Sequence, residues 1–183
     1  GAYLTDLKKI EEILKEIKKD AKTKPVFVKI RKSDIAFEIL KLAEKYCNAI
    51  IVHPRTLNQG YSGNPDIKFA KKIKQNSSIP VVYSGNINEK NYKEFLKIFD
   101  YLMIGREAIG DPCIFSRIQK KKCDIKYQDY LKLAEKYKIP FKRLKFQAMN
   151  FTKKKSNAKG LRLEIFKIKT RRGLKEFAKE NDF

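Results

Sequence analysis

"PVFVKIRKSDIAFEILKLAEKYCNAIIVH", residues 25–53, reads as strand, helix, strand. Pro25 opens a nearly continuous apolar run over 25–30. Ser33 is placed to cap a helix over 34–47, whose apolar residues recur at three and four spacing. "AIIVH" over 49–53 is a second short apolar run. Two such strands joined by an amphipathic helix predict a parallel pair, because strands without polar alternation must be covered on both faces.

The pattern extends in both directions. "DLKKIEEILKEIKKD" (6–20) sets Leu7, Ile10, Ile13, Leu14 and Ile17 on one stripe, with Thr5 or Asp6 able to cap it. Downstream the spacing predicts a helix over 67–76, a strand over 80–85, a helix over 88–99 and a strand over 101–106. The class is α/β. Polar and glycine residues collect at the strands' carboxyl ends, as in a (β/α)₈-type barrel, of which about four βα units are present. A doubly wound sheet is the alternative, although no GxGxxG follows any strand.

After Lys120 the strand signal stops. Helices are predicted over 127–138, 141–155 and 174–181, while "LRLEIFKIK" (161–169) is ambiguous by period. The expected organisation is a partial barrel over 1–120 and a small, basic, mostly helical domain over 121–183. The 183 residues carry 43 Lys+Arg against 21 Asp+Glu, a net +22. From Lys120 to Phe183 there are 21 basic and 7 acidic residues, net +14, which leaves +8 for residues 1–119. Such a concentration fits a polyanion binder, with a solvated lysine-rich surface as the plainer reading. No run of apolar residues is long enough to span a bilayer and no signal-peptide pattern is present, so the cytoplasm is the default compartment. Cys47, Cys113 and Cys123 form an odd set without CxxC spacing, which argues against a disulfide framework and against a metal site. Each reads as a small hydrophobe or bystander. The sequence opens on Gly1 rather than Met, as a processed, tagged or fragmentary chain would.

At the strand ends, Lys29 closes an apolar run, where an ammonium needs a polar cleft or must snorkel to water. His53 ends the next strand and leads into "PRTLNQGYSG", in which Arg55, Gln59 and Tyr61 offer a guanidinium fork, an amide and a flat ring suited to a nucleotide. A satisfied core histidine is the plainer alternative for His53. Gly85 and Gly105 end strands and open helices, where backbone N–H groups can approach a phosphate and Arg106 adds charge.

Taken in order, "VFVKIR", "IIVHPRTLNQGYSG", "IPVVYSGNI" and "YLMIGREAIGDPCIF" resemble successive motifs of the tRNA-dihydrouridine synthases, flavin-dependent (β/α)₈ enzymes with a carboxy-terminal helical domain that helps hold tRNA. The resemblance covers residues 1–119, and the basic remainder fits the helical domain in length, position and charge. It implies FMN as cofactor and NADPH as reductant, with Lys29 and His53 at the flavin ring. Ser84, Gly85, Asn86, Gly105 and Arg106 would form the phosphate site, and Arg31 and Arg55 would neighbour the substrate base or RNA. A lysine beside the pyrimidine edge favours the reduced, anionic ring. The family commonly has Asn-Gly-Asp or Asn-Gly-Gly where Ser84-Gly85-Asn86 stands, and a tryptophan where Cys113 stands. Its catalytic cysteine, in an "N.GCP" motif after strand four, has no counterpart here, so no catalytic residue is assigned. "GAYLTDLKKIEEILKEI" resembles the helix that follows that strand.

The expected function is therefore FMN- and NADPH-dependent reduction of tRNA uridine to 5,6-dihydrouridine by a carboxy-terminal half that needs its amino-terminal half. Lys153, Lys154 and Lys155 are candidate tRNA contacts. The competing readings are a stand-alone, non-catalytic tRNA-binding module and an unrelated phosphate-binding barrel.

Overall fold

A computed structural model describes residues 5–183. Residues 1–4 of the stretch compared with the helix after strand four lie outside the described residues. The chain divides into two compact units, residues 1–105 and 106–183. The division falls ahead of the change in composition at Lys120. Segment 106–118 joins the second unit, because Asp111 and the carbonyl of Ile109 receive the ammonium groups of Lys154 and Lys153.

In the first unit α1 (Leu7–Ala21) begins where Asp6 accepts a hydrogen bond from the Lys9 N–H at 3.0 Å. Four strands follow, β1 (Phe27–Arg31), β2 (Ala49–His53), β3 (Val81–Tyr83) and β4 (Tyr101–Leu102), with helices α2 (Ala36–Tyr46), α3 (Ile67–Gln75) and α4 (Tyr92–Leu96) between them. The sheet is parallel throughout, in the order β1-β2-β3-β4, and the α/β class expected from the sequence holds.

Register separates the sheet's two faces. Ile30, Ile50, Val52, Val81 and Tyr83 share one core with Ile39, Leu40, Ala43, Ala70 and Ile73 of the helices. Tyr83 is stacked between Phe95 and Phe99 at 4.6 and 4.7 Å, and desolvation pushes its hydroxyl up to about 12. The opposite face carries Phe27, Lys29 and Arg31, paired with Ala49, Ile51 and His53. On that face Phe27 is 56% exposed and Tyr101 61% exposed.

Local chemistry moved three boundaries. Ser33 does not cap α2 with its side chain: the backbone turn Ala36 N–H to Ser33 O precedes the helix, and the Ser33 hydroxyl is buried without a partner among the described residues. The fourth helix starts at Tyr92, because Asn88 accepts from the N–H groups of Lys90 and Asn91 while Asn91 accepts from that of Asn88, favouring a turn over a helical start. The last strand stops at Leu102, short of Arg106.

The second unit opens with a 3₁₀ turn (Arg106–Ala108), followed by α5 (Ile114–Ile118), α6 (Tyr127–Lys136), α7 (Phe141–Phe151), α8 (Ala158–Lys167) and α9 (Arg171–Glu180). Its core gathers Tyr127, Leu131, Leu144, Ala148, Ile165, Leu174 and Ala178. The ambiguous 161–169 stretch is helical through Lys167, with Leu161 and Ile165 buried four residues apart. The cysteine reading is corrected here: Cys113 and Cys123 are joined by a disulfide, leaving Cys47 as the free, buried thiol. Spacing alone gave no sign of it, since the turn that reverses the chain after α5 brings the two together. No helix among the described residues is long and apolar enough to cross a membrane, and no cluster of metal-ligating side chains occurs among them.

Candidate active site at the carboxyl end of the sheet

The parallel register brings Arg31 opposite His53, with Lys29 one step back on the same face. Desolvation by the surrounding sheet, and secondarily repulsion from Arg31, lowers the pKa of Lys29 below the ordinary lysine value.

Arg55 organises the loop after β2. It is 1% exposed. Its guanidinium donates to the carbonyls of Ser62 at 3.3 Å and Gly63 at 2.7 Å, to Asn86 Oδ1 at 3.1 Å and to His53 Nε2 at 3.2 Å. A guanidinium has no acceptor, so His53 Nε2 accepts and the imidazole proton sits on Nδ1. Arg55, expected as a neighbour of the substrate base or RNA, shapes the loop and fixes the tautomer of His53.

Gln59 has the same character. Its amide donates to the carbonyls of Ser62 and Asn64 at 2.9 and 3.1 Å, closing a loop in which Gly60 and Gly63 take positive φ of 58° and 57°. Tyr61 is left as the presented group, 60% exposed. Its ring lies 6.0 Å from His53, and the Arg31 guanidinium carbon stands 5.9 Å from the Tyr61 centroid. Arg31 also donates to the Thr56 carbonyl at 3.2 Å. Arg31 and His53 at the strand ends and Tyr61 on the loop therefore form one cluster, with the loop held from beneath.

Sequence reasoning missed the clasp at the base of this loop. Lys32 donates to Asp66 at 2.8 Å, and Asp66 accepts from the Phe69 N–H to begin α3. The Lys32 hydrogen bond first, and the Phe69 amide second, hold the Asp66 carboxyl below its ordinary pKa. An aspartate immediately before a periodic run was a readable capping signal; its pairing with Lys32 was not.

The expected phosphate residues divide. Ser84 continues the ladder by donating its N–H to the Val52 carbonyl. Asn86 has φ 48° and receives Arg55. A Cβ on Gly85 would stand 3.0 Å from Pro65 Cγ and 3.1 Å from the Tyr83 hydroxyl, so this glycine serves close packing of the loop against β3. Gly105 is exposed, with open space where a Cβ would be. Arg106 is an exposed residue of the second unit.

Lys153, Lys154 and Lys155 also lie in the second unit, each with an internal acceptor: the Ile109 carbonyl, Asp111, and Asp182 respectively. Asp111 takes both Arg117 nitrogens as well, at 3.0 and 2.6 Å. Elsewhere in that unit Lys142, Arg143, Lys159, Arg162 and Lys175 are exposed, as are Phe146 and Phe166.

Comparison with known proteins gives the family. The family described as "Dihydrouridine synthase" matches residues 1–183. The tRNA-dihydrouridine synthase B of Shewanella oneidensis is 45% identical over 74 residues, 39% of this chain and 23% of that protein. Its counterpart in Vibrio vulnificus is 36% identical over 118 residues, 60% of this chain and 36% of that protein. The chain thus spans well under half the length of the curated relatives it matches. With the family matched over all its residues, and with the loop after the second strand built around the arginine and histidine that carry the motif, this chain belongs to the dihydrouridine synthase family.

Proposed function

We propose that the chain supplies the carboxy-terminal part of the barrel and the helical domain of a tRNA-dihydrouridine synthase, which reduces uridine in tRNA to 5,6-dihydrouridine with FMN and NADPH. The observation that carries the reading is the cluster of Arg31, His53 and Tyr61, with Lys29 beside it, at the carboxyl end of a parallel sheet. These residues fit a planar anionic ligand. Lys29 supplies a partly desolvated cation, His53 an oriented Nδ1–H donor, Tyr61 an exposed ring and Gly105 an open backbone. FMN, when bound, would supply the two-electron chemistry. The residues of this chain bind and orient: Lys29 and His53 at the ring, and Ser84, Asn86 and Gly105 toward the phosphate.

The exposed face bearing Phe27 and Tyr101 supports a sheet that is closed by further βα units, from the same or a separate polypeptide. The general acid would come from those units. In the second unit, Lys142, Arg143 and Lys159 would meet phosphates directly. Lys153 would exchange the Ile109 carbonyl for a phosphate, and Lys154 and Lys155 their carboxylate partners; an exposed ion pair such as Lys155–Asp182 contributes only about 0.2–1 kcal/mol.

The test is flavin absorbance of the 183-residue chain, alone and mixed with a candidate amino-terminal half that carries the "N.GCP" cysteine. FMN retained only in the mixture is the expected result. Binding of tRNA without flavin in either sample would favour the alternative, a non-catalytic RNA-binding module, which the charge of the second unit alone would satisfy.

A further inference from the structure

We propose that Cys113 and Cys123 form a thiol–disulfide exchange site, with a small dithiol or its oxidised form as co-reactant, that fastens or releases the connection between α5 and α6. The pair plays no part in the proposed reaction, and the inference does not depend on that reaction.

The two sulfurs sit in unlike surroundings. Cys113 is 8% exposed at the start of α5, and the Ile125 N–H donates to its Sγ at 3.4 Å. Cys123 is partly exposed on an irregular stretch, directly after the exposed Lys120, Lys121 and Lys122. That concentration of positive charge draws an incoming thiolate. Cys47 differs on each point: it is buried, and desolvation raises its pKa.

Reduction follows from this asymmetry. A thiolate of the dithiol attacks the accessible Cys123 Sγ, the S–S bond breaks, and Cys113 leaves as a thiolate facing the Ile125 N–H. The reagent's second thiol then expels Cys123 from the mixed disulfide. The chain gains two electrons and two protons, and the dithiol becomes a cyclic disulfide; oxidation by that disulfide is the reverse.

The bond matters because the stretch is otherwise lightly tied. At one end the Lys120 and Lys121 N–H groups reach Arg117 and Ser116, and at the other the Lys126 N–H reaches Asp129. Ile125, held to Cys113, lines both an apolar groove of about 510 Å³ with Tyr130, Leu133 and Phe151 and a charged cavity of about 280 Å³ with Lys154 and Asp182. Breaking the disulfide loosens a wall common to the two.

The experiment equilibrates the 183-residue chain across ratios of reduced to oxidised dithiothreitol, alkylates it for mass analysis, and measures tryptic cleavage after Lys120–Lys122. Cys113 and Cys123 are expected to gain label together while Cys47 stays unlabelled until unfolding. Cleavage is expected to be about tenfold faster in the reduced chain, as for a segment released into local opening. Cys123→Ser should be cleaved at the reduced rate whatever the ratio. Label on Cys113 and Cys123 at every ratio, or equal cleavage of the oxidised and reduced chains, would overturn the proposal.

Discussion

Arg55 shows how far a residue's role can lie from its chemical type. A guanidinium after a histidine at a strand end invites a ligand contact, yet its acceptors lie at Ser62, Gly63 and Asn86, and no local pattern forecasts that convergence. Because Arg55 is buried, Arg55→Lys loses the fork geometry and leaves acceptors unsatisfied; a loss of about 2–3 kcal/mol is expected by denaturant titration. The same variant should shift the imidazole resonances of His53, the single histidine of the chain; unchanged resonances would show that Arg55 does not set its tautomer. Gly110 is the second sharp case. Its φ is 79°, and a Cβ there would lie 2.2 Å from the Asn150 carbonyl oxygen. Gly110→Ala should destabilise the second unit by about 2–4 kcal/mol, seen as a lower midpoint without a changed slope. The "GDP" of residues 110–112 was legible as a motif, but not as the seat for the end of α7.

At the scale of elements, the apolar period located the helices and strands, and polar side chains decided where they stop. Asn88 and Asn91 shortened α4, Asp6 and Asp66 began α1 and α3, and burial of Leu161 and Ile165 resolved the ambiguous stretch as α8. Asp111 ties the segment before α5 to the residues after α7, with hydrogen bonds from Arg117 first and from Lys154 holding its pKa below the ordinary carboxylate value. A depressed folded pKa gives stability that is present above the unfolded value of about 3.9 and lost as pH falls through the folded one. Asp111→Asn should therefore weaken the second unit by about 1–2 kcal/mol at neutral pH. The two stability curves should converge on acidification; a constant gap would mean the aspartate acts through shape rather than charge.

For the whole molecule the open sheet face has the clearest physical consequence. Phe27 and Tyr101 stand on the two edge strands, exposed on the face opposite the helices. The isolated chain should self-associate at about 10 µM, and Phe27→Lys with Tyr101→Lys should shift sedimentation toward monomer. An unassociated parent chain would show that this face needs no cover. Salt dependence belongs to this scale too. Replacing Lys142, Arg143 and Lys159 should flatten the log-log slope of tRNA binding by roughly one unit per lost phosphate contact, measured by anisotropy. An unchanged slope would assign those cations to solvent. By itself the sequence determined the α/β class, the concentration of charge in the last third, and the family motifs at the strand ends, because period, charge and motif order are properties of the chain read in line. Tertiary structure alone decided that Arg55 and Gln59 build the loop while Tyr61 is presented, that Lys153–Lys155 have internal partners, and that Cys113 meets Cys123. Each of these depends on which atoms folding brings within about 3–4 Å, and residues distant along the chain supply most of those atoms.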